Sequence, residues 1–203
     1  PAELLRVPDG AWSPLAGALV ELSYGEGRVH LVLTETVADP RDASRRVLQG
    51  GMVPLPIADL PTGVMRGRFS PGDRALYACG LFAWAGNRTE PGGLFRIRRT
   101  EAPLVVPTAL HAGPGTLTLA FPQALERGAA EDPTRYAIRT WSIRRSADYG
   151  SPHLDERDRT VTAARLSEDG RTVTLDVEGF GPTRCYSLGW RLEAADGTAA
   201  SGT

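Results

Sequence analysis

The chain has 203 residues, of which 41% are hydrophobic, and this length and composition suit one or two globular domains. Its 23 basic residues, all of them arginine, nearly balance 24 acidic residues. No field of one sign therefore exists to attract a polyanion, and we expect no nucleic-acid partner. No apolar run reaches the roughly 20 residues that a membrane span requires, so we also expect no membrane span.

The first hundred residues predict a meander of antiparallel strands. Short stretches alternate or run apolar, and Gly- and Asp-containing turns separate them; these stretches are 18–24, 28–35, 64–69, 75–82 and 94–99. The polar stretch 38–49 predicts a loop with at most one helical turn. Segment 52–63 contains three prolines, which cannot donate to a strand ladder, and predicts an edge strand or an extended crossing.

A second unit begins after residues 100–108, where Pro103 and Pro107 bracket a short apolar run and predict a stiff linker. Five more strands are predicted, at 115–121, 136–143, 161–167, 171–177 and 184–194. Their spacing and alternation are typical of a small β-sandwich of the immunoglobulin or fibronectin type. We expect its core to include Leu117, Leu119, Phe121, Ile138, Trp141, Leu166, Val173, Leu175, Val177, Tyr186, Leu188 and Trp190.

A repeated turn pattern and the two cysteines also indicate how the chain is organised. A turn pattern occurs at Ser23–Arg28, Ser70–Arg74 and Ser167–Arg171, and the first two copies are 47 residues apart, close to the period of propeller blades. The alternative is that each copy is an ordinary hairpin turn. Cys79 and Cys185 fall in strands of different units, which favours buried free thiols over a disulfide.

Both halves resemble known families. The segments VMRGRFSPGDRALYACGLFAWAG (64–86) and GGLFRIRRT (92–100) resemble the last blade of the β-propellers in glucose and sorbosone dehydrogenase-like proteins. The region from 117 to 198, with its hairpin LSEDGRTVTL, is similar to bacterial Ig-like domains. This order resembles the C-terminal part of large exported bacterial proteins that couple such propellers to cytochrome c modules.

The resemblance implies an all-β chain with an incomplete, propeller-like antiparallel sheet at 1–101, an Ig-like sandwich at 103–198 and a flexible tail at 199–203. It also implies a periplasmic or extracellular location, and a quinone or haem in the full-length protein with no cofactor in this segment. The chain begins at Pro1 without an initiator Met, so we expect a piece of a longer polypeptide whose upstream blades are its partner. In such dehydrogenases a histidine base and arginines hold quinone and sugar, but His30, His111 and His153 match no motif of that base. No catalytic residue is therefore predicted.

Two loops contain candidate ligand-binding residues. In FAWAGNRTEPGG, Trp84 offers a stacking surface while Asn87 and Arg88 offer hydrogen-bond donors, a combination that suits a carbohydrate or a peptide. The alternative is that Trp84 only covers a core. In 146–159, Tyr149 and His153 are further candidates, although a solvated loop is the simpler interpretation. The acidic residues there lack the spacing of a calcium loop, so no metal site is predicted.

Three functional hypotheses follow. The leading one is a non-catalytic structural and interaction region of a larger exported protein, bracing a propeller. The second is a fragment of a quinone- or haem-linked sugar dehydrogenase whose active site lies mostly upstream. The third is a carbohydrate-binding module that uses Trp84 and Tyr149.

Overall fold

The computed structural model describes residues 2–39, 41–82, 88–147 and 150–203. It is 54% strand and 4% helix, in several antiparallel sheets, none of which closes within the described residues, so the predicted all-β class is confirmed. The strands are β1 (Glu3–Arg6), β2 (Leu19–Ser23), β3 (Arg28–Asp39), β4 (Asp42–Pro54), β5 (Gly63–Phe69), β6 (Leu76–Leu81), β7 (Gly92–Ile97), β8 (Ala109–Gly113), β9 (Thr116–Ala120), β10 (Tyr136–Ile143), β11 (His153–Arg159), β12 (Val161–Leu166), β13 (Thr172–Val177), β14 (Cys185–Glu193) and β15 (Ala199–Gly202). A short helix α1 (Arg127–Ala130) and a 3-10 turn (Pro133–Arg135) precede β10.

The chain divides into two units. Unit 1 comprises Pro1–Leu33 and Gly50–Thr108, and unit 2 comprises Thr34–Gln49 and Ala109–Thr203. Strands β3 and β4 therefore contribute residues to both units.

Unit 1 contains β1, β2 and its own parts of β3 and β4, which follow the order β1-β2-β3-β4 in a four-stranded sheet, and a three-stranded sheet in the order β5-β6-β7. The inward side chains of β2 and β3 alternate with outward ones, and Val20, Leu22, Val29 and Leu31 are almost completely buried. Gly67 on β5 allows close packing here, since a Cβ at Gly67 would lie 3.1 Å from Leu22 Cδ1. Its missing side chain therefore makes room for the core of this unit.

Unit 2 has a sandwich-like core between two four-stranded sheets, β12-β13-β9-β8 and β11-β10-β14-β15. Most of the predicted core side chains are buried, and Phe121 packs edge-on against Trp190 with ring centroids 5.9 Å apart. Trp141, Leu166 and Tyr186 are only half-buried, contrary to expectation. These three lie towards strand ends or on the outer sheet face, where the sandwich does not enclose them.

The structure corrects three sequence-based expectations. Segment 38–49 is not a loop, because β3 runs to Asp39 and β4 begins at Asp42. Residues 153–159 form β11, which pairs with β10, and not a solvated loop. Residues 199–203 are not a flexible tail, since β15 pairs with β14 and Gly202 lies opposite Trp190. All three segments are edge or hairpin strands with polar or small side chains, so the apolar alternation that reveals a strand is absent.

The linker and the cysteines also differ from expectation. Leu104, Val105 and Val106 are buried in unit 1, so residues 104–106 belong to its core. Cys79 and Cys185 are both free thiols, but Cys79 is exposed and Cys185 is half-buried. Each occupies an outward position of its strand, which explains why neither thiol reaches a core.

Candidate functional site

Arg88 is one of two predicted site residues that the structure describes, and contacts within unit 1 hold it. Its Nε donates to the carbonyl oxygen of Glu26, and its Nη2 donates to the carboxylate of Asp59, both at 2.6 Å. Arg28 Nε donates to the other oxygen of Asp59 at 3.1 Å. Hydrogen bonds from Arg88, and then from Arg28, lower the pKa of Asp59 below its usual value. Arg88 thus supports the loop that carries Asp59.

His153, the second described candidate, links two neighbouring strands of unit 2. Its ring stacks on Trp141 of β10, with centroids 4.4 Å apart and an angle of 19° between the planes. Its Nδ1 lies 2.8 Å from Glu156 Oε2, and the other oxygen of Glu156 pairs with Arg139 at 2.9 Å. Such cross-strand pairs stabilise a sheet, so these contacts explain His153 as part of the β10–β11 pairing.

Trp84, Asn87 and Tyr149 lie outside the described residues. The stacking surface predicted around them stays a prediction. The carbonyl oxygen of Phe82, two positions before Trp84 in the chain, accepts a hydrogen bond of 2.6 Å from the Tyr24 hydroxyl.

Sequence reasoning missed a polar cluster on the four-stranded sheet of unit 1. Glu21 of β2 stands directly opposite His30 of β3, and Glu21 Oε2 lies 2.9 Å from His30 Nδ1. Glu26 Oε2 lies 3.6 Å from the other ring nitrogen. Because both ring nitrogens of His30 face a carboxylate, the geometry suits a structural role better than that of a general base. The one sign of this cluster in the sequence is Glu21, a charged residue inside the apolar run ALVELSY.

A comparable cluster lies in unit 2. His111 Nδ1 is 2.8 Å from Glu35 Oε2, and Gln49 Nε2 donates to the same carboxylate oxygen at 2.9 Å. The hydrogen bond from Gln49 is the largest cause of a lowered pKa of Glu35, and contact with His111 adds to it. His111 and Glu35 are 76 positions apart in sequence, so no local motif predicts their pairing.

In the part of the chain that the structure describes, no group of three or more His, Cys, Asp or Glu side chains is placed to hold a metal ion. The quinone or haem remains an expectation for the full-length protein.

The outer face of β5–β6–β7 is the most distinctive exposed surface of unit 1. Strand register aligns Arg68, Tyr77 and Arg96 in one row across the three strands. The neighbouring row is formed by Arg66, Cys79 and Leu94. Large apolar side chains on this face and at its end are strongly exposed: Tyr77 by 37%, Leu81 by 47%, Phe82 by 46% and Leu94 by 74%. We call this surface the outer face of the three-stranded sheet; its residues are Arg66, Arg68, Tyr77, Cys79, Leu81, Leu94 and Arg96, with Phe82 at its end.

Asp73, in the turn between β5 and β6, fixes one end of this face. Its Oδ2 accepts a hydrogen bond from the Tyr77 hydroxyl at 2.9 Å and pairs with Arg96 Nη2 at 2.9 Å. Hydrogen bonds from Ser70 and from the backbone of Ala75 are the first causes that lower the pKa of Asp73 to about 2. Asp73 therefore stays ionised and holds Tyr77 and Arg96 in position at neutral pH.

Comparison with known proteins gives no match: no protein-family model, no curated protein and no solved structure matches this chain. Within the described residues, the helices are too short or too polar to cross a bilayer.

Proposed function

We propose that this chain is a non-catalytic structural and interaction region of a larger exported bacterial protein, in which it braces a propeller. The observation that carries the proposal is the exposed outer face of the three-stranded sheet. Most large apolar side chains in a folded monomer are covered, and a cluster of them on one sheet face marks an interaction surface. Here the described residues leave Leu81 and Leu94 47% and 74% exposed on one face of the sheet.

The chemistry of the face indicates what covers it. Arg66, Arg68 and Arg96 are interleaved with Tyr77 and Leu94, so a complementary surface is apolar with acidic side chains between the apolar ones. Sheets pack face to face through such interdigitated layers. Together with the resemblance of residues 64–100 to a last propeller blade, this favours an upstream blade of the same polypeptide as the partner.

The predicted ligand-binding alternative receives less support from the described residues. Arg88 uses Nε and Nη2, and His153 uses Nδ1, for contacts within their own unit. A dehydrogenase fragment differs from a purely structural region only in what lies upstream. A Cys-x-x-Cys-His motif together with further repeats of about 40 to 50 residues in the upstream reading frame would favour the dehydrogenase.

Cys79 provides a reporter for the proposal, because it lies in the centre of the outer face and is exposed. We expect iodoacetamide to alkylate Cys79 rapidly in the present chain. In a longer polypeptide that includes the upstream region, we expect the rate at Cys79 to fall by about tenfold or more, while the rate at Cys185 stays within about twofold; mass spectrometry of tryptic peptides separates the two sites.

Equal alkylation rates at Cys79 in the short and long polypeptides would contradict the proposal, as would an upstream reading frame without propeller-like repeats. A pair of variants provides a matched control. Leu94→Glu should lower the melting temperature of the long polypeptide by several degrees and leave that of the short chain unchanged. Leu48→Glu, at a position that is 70% exposed but lies on β4, should change neither.

A further inference from the structure

An open groove lies on one face of the sheet β11-β10-β14-β15 in unit 2. Its volume is about 350 Å³, within the roughly 300–1,000 Å³ that is usual for small-ligand sites. Ile138, Leu188 and Leu192 of the two central strands, β10 and β14, are buried in the sandwich core, and the residues between them point to the opposite side. The groove lies on that opposite side, which faces solvent.

Strand register arranges six of the lining residues in two neighbouring rows. One row consists of Ala137, Gly189 and Thr203, and the other of Arg135, Arg191 and Ser201. Thr203 and Arg135 each extend a row by one position beyond the paired residues. All six residues are exposed or half-buried, so a molecule in solution can reach them. The first row has only small side chains, and the second provides two guanidinium groups.

Carboxylates of the described residues balance the charge of these two arginines only in part. Arg135 Nε lies 3.6 Å from Asp132 Oδ2, which is longer than a good hydrogen bond. Arg191 Nη2 donates to the carbonyl oxygen of Thr134 at 3.4 Å, and within the described residues no carboxylate contacts its guanidinium. Like charges at opposite positions of a sheet destabilise it, so an anion bound beside both arginines would stabilise this part of unit 2.

The free hydrogen-bonding capacity of the groove indicates which anion suits it. A guanidinium has five N–H donors, of which Arg191 uses one within the described residues. Guanidinium groups bind phosphate through paired, charge-assisted hydrogen bonds. Ser201 and Thr203 add hydroxyl groups, which can donate to and accept from a hydroxylated molecule.

The missing side chain of Gly189 provides space beside these polar groups. A Cβ at Gly189 would lie 3.7 Å from Ala137 Cβ and 3.8 Å from Thr203 Oγ1, so the space above Gly189 adjoins both of its neighbours in the row. A body placed there lies next to the row that contains the two arginines.

We propose that this groove binds a small phosphate monoester whose body is one hydroxylated ring. Arg135 and Arg191 hold the phosphate, which carries nearly two negative charges at neutral pH. The ring lies over Ala137 and Gly189, and its hydroxyl groups contact those of Ser201 and Thr203. The groove belongs entirely to unit 2 and does not involve the outer face of the three-stranded sheet, so this proposal is independent of the function proposed above.

Glucose 6-phosphate is a suitable probe, because it joins a phosphate monoester to one hydroxylated ring. In a titration of the whole chain followed by ¹H–¹⁵N NMR, we expect the backbone amide signals of Gly189 and Arg191 to move in a saturable manner, with a Kd of about 1 mM or below. Glucose should not bind measurably, because it has no charge. Inorganic phosphate should bind about threefold or more weakly, because it lacks the ring.

Arginine variants test the contacts to the phosphate. Arg135→Met and Arg191→Met each keep the length of the stem but remove the charge and the donors, and we expect each to weaken binding of glucose 6-phosphate about tenfold or more. Arg184→Met is the matched control. It removes the same charge from an exposed residue seven positions before Arg191, roughly 20 Å away along the strand, and should weaken binding by less than about threefold.

A glycine variant tests where the ring lies. The Cβ of Gly189→Ala would make only ordinary contacts, so the strand accepts it, but the methyl group takes space that we assign to the ring. We expect binding of glucose 6-phosphate to weaken about threefold or more and binding of inorganic phosphate to change little. Gly181→Ala makes the same substitution at a position with nothing within 4 Å and outside the groove, and should change neither affinity.

Circular dichroism checks that each variant folds, and the two arginine variants test the phosphate contacts independently if one of them does not. Three results would overturn the proposal: amide shifts that do not saturate with glucose 6-phosphate, equal binding of glucose and its phosphate, or losses in Arg135→Met and Arg191→Met no larger than in Arg184→Met. Undiminished binding in Gly189→Ala, or equal affinity for inorganic phosphate, would overturn the place assigned to the ring.

Discussion

The carboxylate of Glu3 accepts a hydrogen bond of 2.7 Å from the backbone amide of Gly67, on the side of β5 that faces away from β6. The other oxygen of Glu3 contacts Arg68 Nη1, also at 2.7 Å. An edge strand with unpaired amides is a template for unwanted strand pairing. The Glu3 side chain of β1 thus provides an acceptor for a backbone N–H group of β5 that does not point towards β6. At the other edge of the sheet, the outer side of β7 has no strand partner within the described residues.

Replacement of Glu3 by alanine should therefore destabilise unit 1. The Gly67 amide would lose its acceptor and Arg68 its counter-charge, so we expect the free energy of unfolding to fall by about 1–2 kcal/mol in urea titrations followed by circular dichroism. Burial by itself would raise the pKa of Glu3, but the bonds from Gly67 and Arg68 outweigh it and lower that pKa. Glu101→Ala, an exposed change in the same unit, serves as the control and should have little effect. Equal stability of the two variants would contradict the edge-capping role of Glu3.

The stability of unit 1 should depend on pH through Asp73. The pKa of Asp73 is lowered from 3.8 to about 2, so the folded state binds its proton less readily than the unfolded state. Its contribution is therefore complete above pH 4 and disappears as the pH falls towards 2. We expect the wild type to lose more stability than Asp73→Asn over this range, as measured by urea unfolding at several pH values. Parallel pH profiles for the two proteins would rule out this contribution.

The fold was predictable from sequence wherever one face of a strand is apolar and the other polar. RTVTLDV around β13 alternates in this way, whereas ALYACGLF in β6 is a short apolar run between turn signals, and the structure has strands at both places. Prediction failed at 38–49, at β11 and at β15, where strands are held by backbone pairing and by contacts such as Arg139 with Asp158. These three edge segments contain no apolar stripe, because little of their surface is buried.

The candidate sites were less predictable than the fold, for a related reason. Alternation in β6 already places Tyr77 and Cys79 on one face, but the strand register is needed to align Arg68 and Leu94 with them. Arg135 and Arg191 line the same groove in unit 2, although they are 56 positions apart in the chain. Only the folded backbone brings such distant residues together, so no local motif reveals them.

Close backbone packing makes Gly80 irreplaceable in the three-stranded sheet. A Cβ at Gly80 would overlap the carbonyl oxygen of Gly63, which is backbone and cannot move aside as a side chain would. We expect Gly80→Ala to cost about 3 kcal/mol or more and to abolish cooperative unfolding of unit 1 in calorimetry. At Gly92 the nearest atom would be 3.6 Å away, so Gly92→Ala should change stability by less than about 0.5 kcal/mol. A well-folded Gly80→Ala protein would refute the close approach of β5 and β6.

In unit 2, Tyr136 should contribute a buried hydrogen bond and should make the folded state less stable at high pH. Its hydroxyl donates to the carbonyl oxygen of Ala130 at 2.7 Å and ties α1 to β10. We expect Tyr136→Phe to lower the free energy of unfolding by about 1–2 kcal/mol, because that carbonyl would remain buried without a donor.

Burial, followed by the charge of Asp132, raises the pKa of Tyr136 above its usual value of 10.0. The folded state therefore holds this proton more tightly than the unfolded state, and the wild type should lose stability as the pH rises above about 10, whereas Tyr136→Phe should lose less. An identical alkaline profile for Tyr136→Phe and wild type would show that the buried hydroxyl does not set the limit.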